Sequence, residues 1–132
     1  MKMKITAFVR KANGHSFSCV ADVMVSKCLL AGYGKTAQEA VKDFYTSYNE
    51  LRQMDGDKVP EIEVTFKFDV GSLFSYFSYL NIEGIAVRSG INPSVMRQYA
   101  SGARVPKKER LQIIEQKMID ISKEIQCVKL FA

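Results

Sequence analysis

The chain reads as an α+β protein: a βββαβ unit over residues 1–70, then an all-α unit over residues 71–132. Three observations predict this. Apolar residues in the first half recur with a period of two, the spacing of half-buried strands. One long helical stripe interrupts them. The second half carries helical spacings only, punctuated by helix caps. With 132 residues and 47% hydrophobic content, the chain can fill two small cores.

Met3, Ile5, Ala7 and Val9 alternate with Lys4, Thr6, Phe8 and Arg10, which predicts the first strand. Asn13-Gly14 is a hairpin turn signal, and Phe17, Cys19 and Ala21 continue into a second strand. A third strand is expected over Leu29–Gly34. Thr36 then opens a helix, with Glu39 three residues on as a capping box. Ala37, Ala40, Val41, Phe44, Tyr48 and Leu51 form one apolar stripe along that helix, and Asp55-Gly56 stops it. Glu61–Val70 is the clearest strand. Ile62, Val64, Phe66, Phe68 and Val70 share one face, and Glu63, Thr65, Lys67 and Asp69 share the other. The domain boundary is placed at Gly71-Ser72.

An aromatic cluster, Phe74, Tyr76, Phe77 and Tyr79, precedes a helix over Ile82–Ser89 with Ile82, Ile85 and Ala86 inward. Gly90 ends that helix and Ile91 plugs the core. Asn92 caps the next helix, and Pro93 takes its first position, where a missing N–H costs nothing. This helix runs to about Ser101 and is closed by Gly102. Met96 and Tyr99 are its inward residues; Ser94, Val95, Arg97, Gln98 and Ser101 point outward. A short helix that starts with small and amide side chains suits the major groove of DNA. The last helix carries Leu111, Ile114, Met118, Ile121 and Ile125 at helical spacing. Part of this stripe closes the core. The surplus, with Ile113, Ile119, Phe131 and the aromatic cluster, predicts a homodimer or higher even oligomer.

Charge is unevenly distributed. Residues 1–69 hold ten Lys/Arg and nine Asp/Glu, whereas residues 70–132 hold nine and five. Six bases (Arg88, Arg97, Arg104, Lys107, Lys108 and Arg110) stand against Glu109 alone over residues 88–110. Positive charge concentrated on a helical pair is what a phosphate-binding surface requires.

Other function classes find little support. No apolar run has membrane-span length and no signal-peptide core opens the chain, so no membrane partner and a cytoplasmic location are expected. Cys19, Cys28 and Cys127 form no CxxC pair and read as buried thiols of a reducing compartment. With His15 the only histidine, no metal site is expected and no cofactor is implied. A Mg²⁺ nuclease needs converging carboxylates, yet Glu61, Glu63 and Asp69 read as one solvent face, leaving Asp22 alone. Gly32-Tyr33-Gly34-Lys35-Thr36 lacks the earlier glycine of a phosphate-binding P-loop, since Leu29 stands there. No catalytic residue is assigned.

Residues Ala86, Gly90, Ile91 and Gly102, followed by Arg104 and Pro106, resemble the helix-turn-helix of the lambda-repressor/Cro (XRE) class over roughly residues 73–125. The resemblance implies that Ser94 and Gln98 face base edges, with Arg97 nearer the phosphates. The DNA-contacting set is then Asn92, Pro93, Ser94, Val95, Arg97, Gln98, Ser101, Arg104 and Lys107, with Arg88 and Lys108 also serving phosphates. The first unit, through AGYGKTAQEAVKDFYTSY (residues 31–48), resembles the HicB antitoxins. That family has a partial ribonuclease-H-like fold without catalytic residues. It neutralises the mRNA-cleaving toxin HicA and represses the shared operon. The segment Ala21–Cys28 departs from the family: it keeps an Asp and a Cys but lacks the usual prolines and glycine. The expectation is a non-enzymatic regulator that binds double-stranded DNA and a HicA-like toxin. The alternative is an orphan repressor whose first unit serves oligomerisation or ligand sensing.

Overall fold

The computed structural model describes residues 2–12 and 14–132, which divide into two compact units after Ser78. The chain is mixed α+β, with one four-stranded sheet and five α-helices among the described residues. The first unit holds β1 (Lys2–Lys11), β2 (Phe17–Ala21), β3 (Ala31–Gly34), α1 (Ala37–Asp55), β4 (Glu61–Phe68) and α2 (Val70–Tyr76). The second holds α3 (Ile82–Ser89), α4 (Pro93–Ser101) and α5 (Lys108–Gln126).

The sheet order is β3-β2-β1-β4. Two antiparallel pairings join β1 to β2 and β2 to β3, while β4 lies parallel to β1. A parallel neighbour needs a long crossover, which α1 supplies. Alternation aims Ile5, Ala7 and Val9 at the same face as Phe17, Cys19 and Ala21, and α1 covers that face with Ala37, Ala40, Val41, Phe44 and Tyr48. Small residues set the spacing: a Cβ added at Gly32 would lie 2.2 Å from Phe44 N and 2.3 Å from Ala40 O. Burial of this kind is the main source of stability in a unit of this size.

Thr36 caps α1 by accepting from Glu39 N at 3.1 Å. The Glu39 carboxylate accepts from Lys35 N, one residue earlier than a reciprocal box requires. The hairpin between β1 and β2 is closed by Ala12 N donating to Ser16 O, and Gly14 has φ +76°. Asn13, the other half of the expected turn signal, lies outside the described residues.

Four expectations are corrected. The third strand begins at Ala31 rather than Leu29: the paired run with β2 spans Ala31 to Gly34, Leu30 adds one in-register bond by accepting from Ala21 N, and Leu29 is exposed. The fourth strand ends at Phe68. Asp69 caps α2 by accepting from Ser72 N, which makes Val70 the first residue of a helix. For the same reason the boundary falls after Ser78, six residues beyond Ser72: the buried Ser72 hydroxyl donates to Val9 O at 2.7 Å and Ala37 N donates to Ser75 Oγ, so α2 belongs to the first unit. Of the cysteines only Cys19 is buried, and burial pushes its thiol up to about 12; Cys28 and Cys127 are exposed.

Candidate nucleic-acid interface

The second unit is built around α3, which packs on both α4 and α5. Asn81 caps α3 by accepting from Gly84 N at 2.9 Å. At the other end Gly90 takes φ +69°, the left-handed conformation that favours glycine, and Ile91 N donates to Ala86 O at 2.9 Å. This closure turns the chain and drives Ile91 into a core of Ile85, Ala86, Met96, Tyr99 and Ile114. Asn92 Oδ1 then accepts from Ser94 N at 2.8 Å and Pro93 occupies the first position of α4. Gly102, also left-handed, ends α4, and Arg104 N donates to Gln98 O.

Both inward residues of α4, Met96 and Tyr99, are buried as their spacing predicts. None of the nine candidate contact residues is buried: Asn92, Ser94, Arg97, Ser101, Arg104 and Lys107 are exposed, and Pro93, Val95 and Gln98 are half-buried. Two carry local duties as well. Asn92 caps the helix, and Ser101 Oγ donates to Gln98 O. Lys107 precedes α5, whose first turn has no side-chain cap, so backbone N–H groups and the Lys107 and Lys108 side chains share one exposed helix start.

Arg88, expected to serve phosphates, forms an ion pair with Glu124 at 2.6 Å that ties α3 to α5. With both partners about half-exposed or more, such a pair contributes about 0–1 kcal/mol. The α5 stripe also differs from expectation. Only Ile114 is buried, Met118 and Ile121 are half-buried, and Leu111, Ile113, Ile119 and Ile125 are exposed. Val128, Leu130 and Phe131 beyond the helix are exposed too.

Three aspartates of the first unit serve the backbone. Asp22 accepts from Thr6 N, Asp43 from Tyr33 N, and Asp69 from Lys11 N and Ser72 N. Among the described residues no group of His, Cys, Asp and Glu side chains is arranged to hold a metal ion, and no helix is long and apolar enough to cross a membrane.

The segment Ala21–Cys28 shows what the sequence did not signal. Val25 and Cys28 bridge each other around Ser26 (φ +50°) and Lys27 (φ +66°), a tight turn with two left-handed non-glycine residues. Val25 is fully buried, while Val23, Met24 and Leu29 are exposed around it. The chain matches no family model, and no curated protein and no solved structure shows significant similarity to it.

Proposed function

We propose that the chain is a non-enzymatic, cytoplasmic regulator that binds double-stranded DNA through α4, and that its first unit is the antitoxin module of a HicAB-type pair. In this reading α3 and α4 form a helix-turn-helix and α4 enters the major groove. One observation carries the DNA half: α4 buries only Met96 and Tyr99 and leaves Ser94, Arg97 and Ser101 exposed, next to the exposed Arg104 and Lys107. Ser94, Val95 and Gln98 serve base edges. Arg97, Arg104, Lys107 and Lys108 serve phosphates, helped by the uncapped start of α5. The exposed apolar residues of α5 favour pairing of two chains, as two-fold operators require.

The antitoxin half rests on the sequence resemblance, together with the β3-β2-β1-β4 order and the structural use of Asp22, Asp43 and Asp69. The α1 stripe is spent on the core, so a toxin would meet the open sheet face or the exposed Val23 and Met24.

The test has two arms. Selection of bound fragments from random duplex DNA should yield a two-fold symmetric site, and binding without sequence preference would sink the operator reading. Co-expression with a neighbouring small toxin gene should yield a stable complex and suppress RNA cleavage. A chain that binds its operator but leaves that toxin active would favour the orphan-repressor alternative.

A further inference from the structure

The two edges of the sheet are treated differently. Strand β3 is four residues long, and side chains close its outer edge: Tyr33 N donates to Asp43 Oδ2 and Ala31 O accepts from Ser47 Oγ, both at 2.9 Å. Strand β4 is eight residues long and pairs with β1 only. Among the described residues no hydrogen bond reaches its other side. A long open edge is a template for another strand.

The sequence of β4 names the strand that fits. Laid antiparallel on a copy of itself about Thr65, Glu61–Phe68 is self-complementary. Thr65 faces its own mate, Val64 faces Phe66, Ile62 faces Phe68, and Glu63 faces Lys67. Directly opposed residues share a face of the sheet. On the helix side the half-buried Ile62, Val64, Phe66 and Phe68 would meet only each other. On the other side the exposed Glu63 and Lys67 would meet opposite charges, twice by symmetry. Beyond the strand Glu61 faces Asp69, whose carboxylate is held by Lys11 N and Ser72 N. A one-residue slip places Ile62 against Lys67 and mixes the faces. A two-residue slip about Val64 keeps Glu61 against Lys67 but leaves Glu63 opposite Thr65 and brings Pro60, which has no N–H, against Phe68; the slip the other way opposes Glu63 to Asp69.

We infer that the first unit pairs with a second copy of the chain through antiparallel addition of β4 to β4, joining two four-stranded sheets into one. This surface is separate from α5, so a chain that uses both assembles beyond a dimer. It also leaves the outer sheet face and the Ala21–Cys28 segment open to another protein.

Charge exchange tests it on the full chain. Glu63→Lys alone opposes like charges across the two-fold axis, and so does Lys67→Glu alone. Mixing the two variants restores opposite charges at both positions. Sedimentation equilibrium should show each single variant self-associating roughly tenfold more weakly at this surface, with the mixture back at the wild-type constant. Singles that associate like the wild type, or a mixture no tighter than the singles, would overturn the inference. In a Cys28→Ser, Cys127→Ser background, Thr65→Cys should give a disulfide-linked dimer on oxidation; its absence would overturn the register about Thr65. The stoichiometry separates this surface from α5 pairing. With both active the singles fall from a larger assembly to a dimer; without α5 pairing they fall from dimer to monomer.

Discussion

Gly32 and Gly90 are both required as glycine, for opposite reasons. At Gly32 the backbone of α1 fills the space of a side chain, so Gly32→Ala must push a helix off the sheet. At Gly90 the space is open and only the left-handed backbone resists a Cβ. Thermal or urea unfolding should therefore show Gly90→Ala costing about 1 kcal/mol and Gly32→Ala about 3 kcal/mol or more. Equal costs would contradict the close approach at Gly32. The turn at Ser26-Lys27 runs the other way: two non-glycine residues sit where Asn-Gly is preferred, so Lys27→Gly should stabilise by roughly 1 kcal/mol in the same measurement. Thiol titration at pH 8 offers a check on burial. Cys28 and Cys127 should react quickly and Cys19 only on unfolding, because burial holds its pKa near 12 and keeps it protonated below that. A third fast thiol would mean the core opens readily.

The helical pair shows most clearly how far local sequence reaches. Its ends are written by Asn81, Gly90, Asn92, Pro93 and Gly102, whose capping chemistry depends on near neighbours alone, and the expected bounds of α3 and α4 match the observed ones. The outward set on α4 was legible for the same reason. Arg88 was not, because its partner Glu124 lies thirty-six residues away on another helix. Neither was the weak burial of α5, since helical spacing reports an apolar stripe without saying what covers it. Two substitutions probe α4 and its flank. Gln98→Ala should relax specificity at one base pair per half-site, a loss of about 1–3 kcal/mol of discrimination in a selection experiment. Arg104→Ala should weaken all duplexes alike and lower the log–log salt slope by roughly 0.9. A changed preferred sequence for Arg104→Ala would make it a base reader.

For the whole molecule, the expected order of strands and helices holds, while the division between units does not. The alternation of Ile62 to Phe68 runs on to Val70 in the sequence, and nothing local reports that the Ser72 hydroxyl finds Val9 O sixty-three residues away. The net charge of +5 is carried mainly by the second unit, the one proposed to bind DNA. If two chains pair through α5, removing residues 127–132 should lower dimer affinity and DNA affinity together, because pairing and operator binding are linked. Light scattering and a DNA titration on the same sample would show it. An unchanged dimer would move the interface elsewhere.

The place of the division has a consequence for modularity. A cut after residue 70 would amputate α2 and strand Asp69, whose carboxylate has just turned the chain and whose helix fills the end of the sheet. A cut after Ser78 leaves every hydrogen bond of Asp69, Ser72 and Ser75 with its own unit. Residues 79 and 80, just before the Asn81 cap, therefore form the natural splice point of the chain. A chimaera joined there could exchange the second unit for another and keep the first unit whole, whereas a splice at Gly71 should yield an insoluble product.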